Sequence, residues 1–146
     1  MQKFSGLKQR YETLFGNTDT TKCDLVAIEK KLEVKLPEDF KGISEFFNGG
    51  LIGEIDIFSY CNNVPNIVDE TLRLREAIHV PDHFVILAEP DASIILLDTE
   101  AKPAVIWCDS IDINGLENRT FSNLPDTWDT FLDFFLYVLY EEESSV

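Results

Sequence analysis

Two histidines, three cysteines and 27 carboxylates are the residues of this 146-residue chain from which chemistry could be built. His79 and His83 are four apart, the spacing that presents two imidazoles to a metal from one helix face. Pro81 lies between them and breaks that geometry, and no Glu-x-x-His spacing completes a ligand set. Both read as structural or surface residues. Cys23, Cys61 and Cys108 are odd in number and far apart, with no Cys-x-x-Cys pair. That fits small buried thiols in a reducing cytosol better than a disulfide frame or a zinc site. Cys61 as a nucleophile has nothing beside it in the sequence to support the role. Ser110, Asp112, Asn114 and Gly115 occupy the first, third, fifth and sixth positions of a calcium loop. The first position lacks a carboxylate, and the twelfth is Phe121 where a bidentate Glu is needed, so a hairpin turn is the better account. There is no nucleophile elbow and no phosphate-cradling glycine loop. A carboxylate pair working as acid and base is the remaining enzymatic alternative, and no particular spacing supports it. The sequence therefore assigns no catalytic residue, no metal ligand and no cofactor.

Charge narrows the partners. Twelve Lys and Arg against 27 Asp and Glu give a formal charge of −15. Direct nucleic-acid binding needs clustered basic charge, and attraction to an anionic membrane needs the same, so neither is expected. The field of such a chain attracts a basic partner. Residues 1–73 carry a net −3 and residues 74–146 a net −12. Two readings of that asymmetry stand: a solvated surface that maintains solubility, and an acidic patch for a basic protein.

Eleven Phe, four Tyr and two Trp within a 45% apolar composition exclude a disordered chain, and the length suits one domain with its own core. The longest apolar run, Phe134 to Tyr140, is too short for the roughly 20 residues of a membrane-spanning helix. The first fifteen residues hold no continuous apolar stretch and do not read as a secretory signal. Without export, the Asn118-Arg119-Thr120 sequon carries no weight, and the protein is expected in the cytoplasm.

The elements that position these residues follow from periodicity. Phe4, Leu7, Tyr11, Leu14 and Phe15 predict a first amphipathic helix within an N-terminal extension, residues 1–20. Thr21, with Asp24 three residues on, predicts the cap of a second helix that buries Leu25, Ile28 and Leu32 and ends near Val34. Pro37 suits the first position of a third helix, with Glu38 and Asp39 at its positive end and Phe40, Ile43 and Phe47 buried. Asn48-Gly49-Gly50 ends it. A strand is expected from Leu51 through Phe58, and a helix from Ile67 to Ile78. Phe84–Ala88, Ser93–Asp98 and Ala104–Cys108 predict a β-meander with short turns. Asp126 then caps a last helix whose buried face includes Trp128, Phe131, Phe135 and Val138, and Glu141-Glu142-Glu143 frays from its end. The expected fold class is α+β: a single domain with an antiparallel meander sheet packed against N-terminal helices and a C-terminal helix.

Residues 27–50, AIEKKLEVKLPEDFKGISEFFNGG, resemble the signature of the SUKH superfamily, which includes the Smi/Knr cell-wall regulators and many bacterial relatives. The elements that carry the resemblance are Ile28, Glu29 and Leu32, then Leu36-Pro37-Glu38-Asp39-Phe40, then Phe46-Phe47-Asn48-Gly49-Gly50. Further on, Leu97-Asp98 is similar to the family's Leu-Asp strand end, and Trp128-Asp129-Thr130-Phe131-Leu132 to its F-x-x-F-L motif. The chain departs from the pattern at Asp91-Ala92-Ser93, where many members have a glycine-rich turn. The resemblance implies a SUKH-like α+β domain over residues 21–143 and structural roles for Leu36, Pro37, Glu38, Asp39, Phe40, Asn48, Gly49 and Gly50. It implies no enzyme. Bacterial members are regarded as immunity proteins that neutralise polymorphic toxins, often nucleases, and eukaryotic members as regulatory or scaffold proteins.

The resemblance and the charge together predict a stoichiometric antitoxin for a cognate toxin with a basic surface, with an intracellular scaffold as the alternative. Glu89, Asp91, Glu100, Asp109, Asp112 and Glu117, in the turns around the meander, are the expected partner contacts.

Overall fold

Apolar residues at helical and at alternating spacing sort into five helices and six strands in the computed structural model, which describes residues 4–16 and 22–145. In chain order these are α1 (Ser5–Phe15), α2 (Leu25–Leu32), α3 (Glu38–Ile43), β1 (Gly50–Ile52), β2 (Ile55–Ile57), α4 (Ile67–Ile78), β3 (Phe84–Ala88), β4 (Ser93–Asp98) and β5 (Val105–Asp109). A 3₁₀ turn (Ser110–Gly115), β6 (Asp126–Trp128) and α5 (Phe131–Ser144) complete the fold. Strands β3 to β6 form an antiparallel sheet in sequential order, and β1 and β2 a separate hairpin. The expected α+β fold is the one adopted.

The sheet is covered on both faces, which explains why β3 and β4 read as continuous apolar runs: every residue of both strands is buried. Val85, Leu87, Ile95, Leu97 and Val105 pack toward the larger core, with Phe40, Phe47, Phe131, Phe135 and Val138 from the helical layer. The alternate residues Phe84, Ile86, Ile94, Leu96 and Ile106 pack on Leu74, Val80, Ile113 and Leu116. Strand alternation thus divides one sheet between two cores. Leu7 and Tyr11 bring α1 into the larger one.

Several boundaries differ from those expected. Thr21 lies outside the described residues, and α2 begins one turn later, where Asp24 accepts from the Ala27 N–H at 3.1 Å. Pro37 is the N-cap of α3 rather than its first helical residue. That helix stops at Ile43, so Asn48-Gly49-Gly50 does not end it. Instead Gly49 (φ +98°) and Gly50 (φ +119°) turn the chain into β1. A Cβ on Gly49 would sit 2.6 Å from the Phe58 carbonyl oxygen, so no larger residue fits. The single strand expected after Leu51 is a hairpin. Its two-residue turn, Gly53-Glu54, has both residues left-handed (φ +56° and +66°), the geometry that matches strand twist.

At the C-terminal end, Asp126 belongs to β6, and the cap of α5 is Thr130, which accepts from the Asp133 N–H at 3.0 Å. Both residues satisfy the same capping rule, and pairing of Val105 with Trp128 in the sheet decides between them. The Glu141-Glu142-Glu143 segment does not fray. It is helical, Glu142 accepts from the Gly53 N–H at 2.9 Å, and Glu143 holds Arg10 through two bonds of 2.7 and 3.0 Å. Asn114-Gly115 closes a 3₁₀ turn rather than a hairpin. Ala92 takes a left-handed backbone (φ +56°) in the turn where the resemblance led one to look for glycine.

The cysteine expectation is corrected most. Cys23 and Cys61 form a disulfide with their Cα atoms 4.9 Å apart, and only Cys108 is a buried free thiol among the described residues. Tertiary contact between the start of α2 and the loop after β2 brings them together across 38 residues, which spacing alone does not reveal. The cysteines therefore no longer argue for a reducing compartment. Reduction is expected to lower stability by about 2–4 kcal/mol, because the open chain regains the freedom that the closed loop denies it. Urea unfolding with and without dithiothreitol checks this; coincident midpoints would contradict it. Among the described residues, no helix is long and apolar enough to cross a membrane.

Candidate interaction surface

The meander's register divides the six acidic residues expected to meet a partner. Ser93 pairs with Asp109, so Glu89, Asp91 and Asp109 gather at one end of the sheet. Phe84 pairs with Asp98, which places Glu100 at the opposite end, and Glu117 is held there by His83. A six-residue β4 separates the two ends by roughly 17 Å. They do not form one patch.

Their freedom differs as well. Asp91 and Glu100 are exposed. Glu89 is exposed too, but it pairs with Arg73 at 2.7 Å. Asp109 is half-buried and accepts from the Asn123 side-chain amide at 2.7 Å. Asp112 is buried and works inside the fold. It accepts from the backbone N–H groups of Ser122 (2.9 Å) and Asn123 (3.3 Å), and the Ser122 bond holds its carboxyl below the usual range. The one carboxylate of the calcium-loop imitation is thus engaged by backbone N–H groups.

His83 gives the far end its chemistry. Its Nδ1 is 2.9 Å from Asp98 Oδ1 and its Nε2 2.5 Å from Glu117 Oε1. Asp98 also accepts from Arg119 Nη2 at 2.5 Å and from the N–H groups of Glu100 (2.9 Å) and Ala101 (3.2 Å). Arg119 in turn lies 5.9 Å from the centre of the Phe84 ring. Three side chains of metal-ligating type meet here, but they are bonded to one another, Asp98 also to Arg119 and two N–H groups, and no described cluster is arranged to hold a metal. In its protonated form the ring donates from both nitrogens to these carboxylates.

The cluster titrates. Partial burial opposes the charged imidazole, but the bonds to Glu117 and Asp98 and their negative charges outweigh it, so the His83 pKa lies above 6.5. Its stabilising effect is complete below the ordinary value and is lost as pH rises through the raised one. Stability is therefore expected to fall between about pH 6.5 and the His83 pKa, and His83→Gln to remove that slope. Urea midpoints across this range check it; a slope unchanged in the variant would rule the cluster out as its source.

The residues of the 27–50 signature are braces. Glu29 accepts from the Leu36 N–H at 2.7 Å and pairs with Lys41 at 3.3 Å, closing the turn between α2 and α3. Asp39 accepts from its neighbour Phe40 N–H at 2.8 Å and from Leu132 N–H at 2.9 Å, tying α3 to the start of α5. Buried Phe40 lies 4.7 Å from the Tyr60 ring and 4.8 Å from Phe131. Glu38 stays at the surface, 4.0 Å from Lys41. Asn48 donates to the Ser44 carbonyl at 3.0 Å. Asn48, Gly49 and Gly50 also line an open cleft of about 400 Å³ with Tyr11, Phe58 and Pro65, which the sequence did not reveal.

Sequence reasoning also missed a second surface. Tyr137 and Tyr140 of α5 are exposed, and the Trp128 ring on β6 lies 5.2 Å from that of Tyr137. Assigning Trp128 to the last helix's buried face concealed it. The available signal was the position of Tyr137 and Tyr140 away from the buried stripe of α5.

The family model described as SMI1-KNR4 cell-wall, SUKH_5, matches residues 5–139. No curated protein matches the chain.

Proposed function

Since the chain belongs to the SUKH family, we propose that it is a non-enzymatic binding protein, an immunity protein that neutralises a cognate polymorphic toxin by direct stoichiometric contact. The observation that carries this reading is the one-sided charge of residues 74–146: fifteen carboxylates against three cations, with Asp91 and Glu100 exposed at opposite ends of the sheet. A nuclease toxin must present basic charge to hold phosphates, and an acidic protein both speeds encounter with that surface and covers it. Glu29, Asp39 and Phe40 of the 27–50 signature are engaged inside the fold, which leaves the charged surface for binding.

Co-purification of the tagged protein from its native cells at low and high salt tests the reading. A basic toxin in roughly equal amount, held more weakly at high salt, is the expected result. Recurrent recovery of host enzymes or cell-wall proteins without a toxin would overturn it in favour of a regulatory scaffold.

A further inference from the structure

On α5, positions 133, 137, 140 and 141 fall on one side of the helix, and Asp133, Tyr137, Tyr140 and Glu141 are all exposed there. β6 runs beside this stripe. Trp128 packs one part of its ring system against buried Phe134, at 5.0 Å, and another against Tyr137, at 5.2 Å. Asp126 is two residues earlier on the strand, so it projects to the same side. The Tyr137 phenol is pushed up by partial burial and then by the charges of Glu141, one turn on along α5, and of Asp126.

This face lacks counter-charge. Residues 120–146 contain six carboxylates and no Lys or Arg. Among the described residues, none of Asp126, Asp129, Asp133 or Glu141 has an ion-pair partner, and Arg10, the cation that reaches α5, is held by Glu143. Like charges around this aromatic pair, Tyr137 exposed and Trp128 half-buried, do nothing for folding. They do match one chemical group closely. A guanidinium stacks flat on Trp and Tyr rings while its edge donates to carboxylates, which an ammonium does less well. Trp and Tyr are also the side chains that most often anchor protein interfaces.

We propose that the β6–α5 face docks an arginine-bearing segment of a protein partner, with a guanidinium on the Trp128–Tyr137 pair and its N–H groups on Asp126 and Glu141. The inference rests on the binding-protein reading above and moves the principal contact from the meander turns to this face.

The test titrates the full chain with a twelve-residue Gly/Ser peptide carrying four arginines, and with its lysine counterpart, at low salt. The Asp126→Asn/Glu141→Gln double variant is compared with Glu76→Gln/Asp82→Asn, which removes the same charge from exposed sites elsewhere. Circular dichroism confirms that both fold. The arginine peptide is expected to bind several-fold more tightly than the lysine peptide and to lose about tenfold in the first variant, but less than twofold in the second. Amide NMR shifts should concentrate in residues 126–141. Equal losses in both variants, or shifts spread over the meander turns, would overturn the proposal, because binding would then follow overall charge. The same variants in the co-purification separate the two claims. A toxin retained equally by wild type and Asp126→Asn/Glu141→Gln overturns the docking face while the immunity reading stands. Absence of any toxin overturns the immunity reading, and the peptide titration then decides the face by itself.

Discussion

Asp98→Ala is expected to cost about 3–5 kcal/mol, the loss typical of removing one partner from a buried charged network. The Asp98 side chain has no solvent exposure, and its two oxygens serve His83, Arg119 and the N–H groups of Glu100 and Ala101. Truncation leaves the Arg119 guanidinium beside the Phe84 ring without its counter-charge and opens both turn amides. Whole domains are stable by only about 5–15 kcal/mol, so the variant lies near the edge of folding at 37 °C. Asp98→Asn separates charge from shape: its amide oxygen can still accept, but its NH₂ must face a donor. It is expected to lose most of the same amount. Urea unfolding at pH 6 measures both, and a loss below about 1 kcal/mol for Asp98→Ala would refute the network's role. The pH slope assigned to His83 should also flatten, since one of its two carboxylate partners is gone.

Phe135→Ala is expected to cost a similar 3–5 kcal/mol through a different mechanism. Phe135 is fully buried, with ring centres 5.1 Å from Phe47, 6.0 Å from Phe46, 6.2 Å from Tyr11 and 6.5 Å from Phe131. It is where α1, the segment after α3 and α5 meet. Truncation removes the transfer energy of a benzyl group and leaves a cavity that rings on three segments cannot close together. A fall in the midpoint of thermal unfolding on the order of 10 °C is expected. Phe135→Leu, which keeps most of the volume, should recover more than half of it. If both variants melt with the wild type, the aromatic cluster is not where the three segments are joined.

The parts of the fold legible in the sequence were those in which local pattern and tertiary structure agree. α4 runs from Ile67 to Ile78 as its spacing predicts, because Asn66 caps it and its buried residues Ile67, Thr71 and Leu74 fall on one face. β3 and β4 were legible because continuous apolar runs between turn residues have few other fates. The failures are tertiary. β6 is three residues long, too short for a period, and Asp126 looks as much like a cap as Thr130 does. Gly53-Glu54 conceals a hairpin because Glu rarely takes a left-handed backbone. The cysteine pair and the His83 cluster depend on contacts 38, 15 and 34 residues apart, which no local rule reports. Of the six acidic residues chosen as contacts, composition indicated their sign, but only the register showed that they lie at two ends and that Asp112 is enclosed.

β6 also closes the order of the sheet, with no described strand on its outer side. A bare strand rim is a template on which an extended segment, including one from a second copy of the chain, can continue the ladder. Here the rim is three residues long, Asp126 and Asp129 stand at its two ends, and α5 begins immediately afterwards. Two copies approaching rim to rim would bring four carboxylates together. The charges that suit this region to a cationic segment therefore also oppose pairing of this rim with a second copy of itself.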